Sequence, residues 1–226
     1  TADKPMDIFG ARWENYIEKL KNNWTETVSE DDTVVIPGDI SWGMGFDTAA
    51  EDLTFIQNLP GRKIIGKGNH DYWWQTMAKL NRFKEELGAD SIDFLFNNAY
   101  LCEDFIIAGT RGWTLEANYS EEDLKIVNRE AGRLRMSLEA AKKLGETTLG
   151  AETVVFLHYP PSFGGIVCRQ LVDVMHEYGV KRCFYGHIHS VNPAILDRFA
   201  DDIPIYCISA DLIGFKPMKL NKFQAV

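Results

Sequence analysis

Four of the five histidines in this 226-residue chain fall in short polar loops that each follow an apolar run. Val34-Val35-Ile36-Pro37 leads into Gly38-Asp39, and Ile64-Ile65 leads into Gly66-Lys67-Gly68-Asn69-His70-Asp71. Val154-Val155-Phe156-Leu157 leads into His158-Tyr159-Pro160-Pro161, and Cys183-Phe184-Tyr185 into Gly186-His187-Ile188-His189. Imidazole nitrogen, carboxylate oxygen and amide carbonyl are donors for borderline divalent metals. His187 and His189 are two residues apart, so on an extended segment they point to the same side, about 7 Å apart. That span suits two neighbouring metal ions. The flanking glycines let the backbone turn tightly and approach such a cluster.

Each loop has an ordinary explanation when taken alone. Gly-Asp after a strand is common turn chemistry. Asn69-His70-Asp71 could cap a following helix, and His158 could be a satisfied core histidine. Gly186-His187-Ile188-His189 is the most selective of the four. Together, each behind its own apolar run, the loops point to metal chemistry. His176, on a helical stretch, reads as a solvated side chain.

The elements that must position these residues alternate. Buried strands are predicted at 34–36, 63–65, 105–108, 153–157, 182–185 and 205–208. Helical spacing appears at 12–24, at 72–87 and at 171–178. A further helix follows Asp47 as cap, and a long one opens at Ser120-Glu121-Glu122-Asp123, a capping-box variant, and runs towards Leu144-Gly145. Alternating strands and helices argue an α/β layered fold, and strands lacking polar alternation suit sheets covered on both faces. The region from Phe94 to Ala108 could hold an antiparallel pair. Ligand sites in open α/β sheets form at the carboxyl ends of strands, where all four loops would lie.

Residues 1–226 read as a single domain, without linker, repeat or low-complexity run. The net charge of −9 argues against a general nucleic-acid binder, although bound cations would reverse the field locally. Cys102, Cys168, Cys183 and Cys207 lack paired spacing and read as buried reduced thiols. No apolar run approaches the ~20 residues of a membrane helix, and no signal peptide is evident, so the default expectation is a cytoplasmic protein without a membrane partner.

Gly38-Asp39, Gly68-Asn69-His70-Asp71, His158 and Gly186-His187-Ile188-His189, in this order, resemble the calcineurin-like metallophosphoesterase superfamily. The resemblance implies a four-layer α/β/β/α sandwich with two mixed sheets. It also implies a dinuclear site of divalent ions (manganese, iron or zinc) that hydrolyses a phosphomonoester or phosphodiester. Position by position, it makes Asp39 the bridging carboxylate and Asn69, His158 and His187 ligands of the second metal. His189 becomes a ligand of the first metal, His70 the non-ligating histidine beside the scissile phosphate, and Asp71 the carboxylate that orients it. Members of the superfamily also carry an Asp-x-His motif after their first strand. Here no histidine precedes His70, and Asp7-Ile8-Phe9 supplies only the aspartate. With a chain opening on Thr1 rather than Met, the expectation is that the first strand and its motif lie upstream of residue 1.

The implied mechanism is attack by a metal-activated hydroxide, with His70 as general acid. Arg111, in Gly109-Thr110-Arg111-Gly112-Trp113, is a candidate phosphate clamp, against the plainer reading of a loop arginine. Trp42, Trp73, Trp74 and Trp113 lie near the loops and could wall a pocket for a flat group, although large aromatics are more often core. The expected partner is a phosphorylated small molecule or nucleotide as substrate. The alternative is a phosphoesterase-fold protein-interaction scaffold with weak or no catalysis. A metallo-β-lactamase-like hydrolase would want an early His-x-His-x-Asp-His cluster, which is absent.

Overall fold

The computed structural model describes residues 5–222; the Thr1-to-Lys4 opening lies outside them. In chain order the elements are α1 (Tyr16–Thr27), β1 (Thr33–Ile36), α2 (Phe46–Gln57), β2 (Arg62–Ile65), α3 (Met77–Leu87) and β3 (Ile92–Phe94). Then follow β4 (Ala99–Cys102), β5 (Phe105–Thr110), α4 (Glu121–Thr147), β6 (Glu152–Leu157), β7 (Ser162–Phe163) and β8 (Ile166–Val167). The last are α5 (Arg169–Glu177), β9 (Cys183–Tyr185), β10 (Phe199–Ala200) and β11 (Ile203–Cys207).

Two main sheets form. One has the order β1-β2-β3, all parallel. The other has the order β10-β11-β9-β6-β5-β4, parallel through its centre and antiparallel at both edges. The period of two along each strand decides what lies between them. Ile64 of β2, Ile107 of β5, Val154 and Phe156 of β6 and Phe184 of β9 share one buried cluster between the sheets. Their neighbours face outward: Ile65 packs with Trp24, Leu53 and Leu80 of α1, α2 and α3. Ile106, Val155, Leu157, Cys183 and Tyr185 pack under α4 and α5. Helix, sheet, sheet, helix is thus the order of layers, as expected. Because both faces of each sheet are covered, the strands read as unbroken apolar runs.

The caps are local chemistry. Ser120 Oγ accepts the Asp123 amide at 3.0 Å and opens α4, as the capping-box variant predicted. Helix α2 starts one residue before the predicted cap: Gly45 is the cap, and the Thr48 hydroxyl bonds its backbone. Residues 72–76, predicted helical, lie outside α3, which begins only at Met77: a turn at 72–73 follows Asp71, whose carboxylate takes the Trp73 indole. The 12–24 helix is likewise shorter at its start, with 3₁₀ turns at Met6–Phe9 and Ala11–Trp13 before α1.

Cys168 and Cys183 are buried thiols, and all four cysteines are free. Among the described residues, no helix is long and apolar enough to cross a membrane.

Candidate metal centre

Strands β1 and β2 run parallel in one sheet, β6 and β9 in the other, and the sandwich brings their carboxyl ends to one edge. One contact stitches the sheets there: His158 Nδ1, after β6, lies 3.2 Å from the Pro37 carbonyl oxygen, after β1. Within the larger sheet, the Gly186 amide donates to the His158 carbonyl at 3.1 Å. The β1 and β2 loops are closer still. A Cβ on Gly68 would stand 2.0 Å from Asp39 Oδ1 and 2.3 Å from the Asp39 nitrogen, so only glycine fits. Asp39 and His187 themselves hold φ of 57° and 65°, a left-handed conformation that costs energy for non-glycine residues and clusters at functional sites.

The side chains converge. Asn69 Oδ1 is 2.6 Å from His158 Nε2 and 2.9 Å from His187 Nδ1. The two imidazole nitrogens are 3.2 Å apart, and His158 Nε2 is 3.4 Å from Asp39 Oδ2. One donor atom from each of Asp39, His158 and His187 falls within 4.8 Å of the others. The Pro37 carbonyl can only accept, so it holds the proton on His158 Nδ1 and leaves the Nε2 lone pair aimed at the cluster.

Electrostatics keep these side chains in the form that can bind a cation. Burial pushes His158 well below the ordinary imidazole range, with the His187 charge adding to it. Burial also lowers His187 to about 4, helped by His189 and His70. Both rings are therefore neutral at physiological pH. Burial raises the Asp39 carboxyl to about 7, with the Asp71 charge in the same direction, against a bond from the His70 amide. Two neutral imidazoles, an amide oxygen and a carboxylate aimed at one point make a donor set rich in lone pairs. A divalent cation is the species this donor set fits.

His189 lies to one side. Its Nδ1 is 2.6 Å from Asp211 Oδ1, and the other Asp211 oxygen accepts the Ser190 amide at 2.7 Å. Burial pushes Asp211 up, but these bonds outweigh it and hold its pKa below the usual carboxylate value. A carboxylate on Nδ1 orients the ring and presents Nε2 as a ligand. Asp211 was absent from the predicted site. Its signal was the fifth strand end: β11 lies parallel beside β9 and runs into Ser209-Ala210-Asp211. Trp13 packs edge-on against the His189 ring at 5.3 Å, and Asp7 sits in the 3₁₀ turn just before it.

Asp71 has partners other than the one expected. Its Oδ2 accepts the amides of Asp39 and Gly68, both at 2.7 Å. Its Oδ1 accepts Ile40 and Ser41 amides at 2.9 and 3.2 Å and the Trp73 indole at 3.1 Å. Burial raises its pKa, against the bonds from the Gly68, Ser41, Asp39 and Ile40 amides, and the ionised form is the one that satisfies all five donors. Its oxygens are thus committed to backbone and indole, and the His70 ring is held by other groups. Trp42 stacks flat on it with centroids 3.8 Å apart, and its Nδ1 lies 3.1 Å from the Tyr72 hydroxyl. Trp73 and Trp74 are buried in the helix-side core, so the four-tryptophan wall reduces to Trp42 and Trp113.

Arg111 lies against the same edge. Its carbonyl accepts the amides of His158 and Tyr159, and its guanidinium stacks 4.7 Å over Trp113. Its Nη2 is 3.7 Å from Glu130 Oε1.

The profile of the calcineurin-like phosphoesterase family matches residues 9–191. Among solved structures, TT1561 of Thermus thermophilus is similar with a TM-score of 0.53 and 11% identity, over 88% of this chain and 84% of that one. A second crystal structure is similar with a TM-score of 0.52 and 14% identity, over 84% of both chains. These identities speak to the fold. No curated protein sequence matches.

Proposed function

The chain belongs to the calcineurin-like phosphoesterase family, and we propose that it hydrolyses a phosphorylated small molecule or nucleotide at the strand-end cluster with two bound divalent metals. The observation that carries this is the convergence of Asp39, Asn69, His158 and His187 from both sheets. Those four would hold one ion, with His189 and the shared Asp39 at the neighbouring position. Bound there, divalent metal would lower the pKa of water and offset phosphate charge.

The chain's own groups do the rest. Asp71 holds the two ligand loops in register through their amides. The Pro37 carbonyl and the Asp211 carboxylate fix the tautomers of His158 and His189. His70, held between Trp42 and Tyr72, is the proton donor to the leaving oxygen. Convergence of the whole donor set supports the catalytic reading over that of an interaction scaffold. The test is hydrolysis of p-nitrophenyl phosphate and bis(p-nitrophenyl) phosphate by the purified chain, with manganese and with chelator. Turnover of either substrate only with metal supports the proposal; none with any divalent metal overturns it.

A further inference from the structure

Beside the strand-end loops, two arginines gather round one carboxylate, and Lys67 lies within reach of their charges. Glu130 of α4 is almost fully buried, and its needs are already met: Thr110 Oγ1 donates to Oε2 at 2.6 Å and Arg133 Nη1 to Oε1 at 2.6 Å. Arg111 approaches it only to 3.7 Å, and the buried Arg111 Nε has no hydrogen-bond partner. Lys67 feels the charges of Arg111 and Arg133, which repel it, and of Glu130, which attracts it. In a chain of net charge −9, Arg111, Arg133 and Lys67 here meet Glu130, with Asp71 and Arg129 also acting on the group.

The cations are tied to the candidate metal centre by the backbone. Lys67 precedes the ligand Asn69 by two residues, and the Arg111 carbonyl binds the amides of His158 and Tyr159. Arg111 is also preorganised by its stack on Trp113, so its fork loses little freedom on meeting an anion. An unpaired buried guanidinium nitrogen is costly unless a ligand completes it, and planar N–H forks match phosphate oxygens.

We propose that Arg111, Lys67 and Arg133 form a second anion subsite, which takes a phosphate adjacent to the scissile one. The substrate class is then a compound bearing two phosphates within reach of each other, such as a nucleoside diphosphate. The inference rests on the hydrolytic reading of the neighbouring metal centre, but the subsite itself needs no metal.

The probe is therefore inorganic diphosphate, titrated calorimetrically into chelator-stripped protein at low salt, with orthophosphate for comparison. Stripped protein should bind diphosphate at least about tenfold more tightly than orthophosphate. Arg111→Gln and Lys67→Gln should each weaken diphosphate binding by about tenfold or more, with Arg111→Lys recovering part of the loss. Thermal melting verifies that each variant is folded, and two independent variants guard against one failing. Absence of binding to the stripped wild type, or wild-type binding in both folded variants, overturns the subsite. Manganese-dependent hydrolysis of p-nitrophenyl phosphate on the same preparation separates the two claims. Its presence without diphosphate binding rejects the subsite alone, and its absence rejects the hydrolytic reading.

Discussion

The Asp71 carboxylate accepts the Asp39 amide at 2.7 Å, so one candidate site residue holds the backbone of another across two strand-end loops. The same oxygen takes the Gly68 amide, and its partner oxygen takes Ile40, Ser41 and the Trp73 indole. An acidic side chain inside a ligand motif thus acts as the keystone of two loops rather than as the support of one imidazole.

Asp71→Asn retains the shape but turns an N–H₂ group towards amides that can only donate. The variant should lose about 2–4 kcal/mol of stability, from orphaned buried donors, and bind metal weakly because Asp39 shifts. Denaturant unfolding of the metal-free protein reads the first effect. Wild-type stability in the variant would show that the five bonds are dispensable.

Of the four strand-end histidines, Asp211 is bonded to His189. Asp211→Asn should weaken the metal position served by His189 by roughly 10–100-fold, the usual cost of losing a carboxylate behind a ligating histidine. The position built from Asn69, His158 and His187 should keep its affinity. A metal titration with resolved stages checks this; equal loss at both positions would assign Asp211 to the whole site.

His70→Ala should leave metal content nearly intact while His158→Ala and His187→Ala deplete it. Its rate should fall by about 10²–10⁴ for alkyl phosphates, whose leaving alkoxide needs a proton, and by less for nitrophenyl esters. Metal analysis beside kinetics on both substrates decides. Metal loss in His70→Ala as severe as in His187→Ala would make His70 a ligand.

The pH dependence of metal binding has a definite sign. Metal needs the Asp39 carboxylate, and burial raises that carboxyl to about 7. His187, lowered to about 4 chiefly by burial, is already neutral. Affinity for the first metal should therefore drop about tenfold per pH unit below 7, with one proton released as Asp39 takes it, and level off above it. Calorimetry in buffers of different ionisation enthalpy counts the protons. Release of two or more at pH 6 would mean that the histidines, too, titrate there.

How far the sequence reached follows from distance along the chain. The ligand loops were legible because glycine, aspartate and histidine follow apolar runs directly, and those runs are the buried strands. The pairing of β4 with β5 was legible from their closeness. Asp211 and the bonds of Asp71 to the Asp39, Ile40 and Ser41 amides were not, because each closes only when strands or loops distant in sequence lie side by side. The apolar pattern at Trp73 and Trp74 fitted a helix face equally well. Only the pull of Asp71 on the Trp73 indole shows why the chain turns there instead.

The most direct measurement is a metal titration of chelator-stripped protein, with bound manganese and hydrolysis of p-nitrophenyl phosphate followed in the same samples. Four side chains converge at one position, and His189 with the shared Asp39 serves the other. Binding should therefore occur in two stages, tight then weak, with hydrolysis absent at the start and rising with the second stage. Hydrolysis in the fully stripped protein, undiminished by chelator, would contradict a metal-dependent phosphoesterase at this cluster.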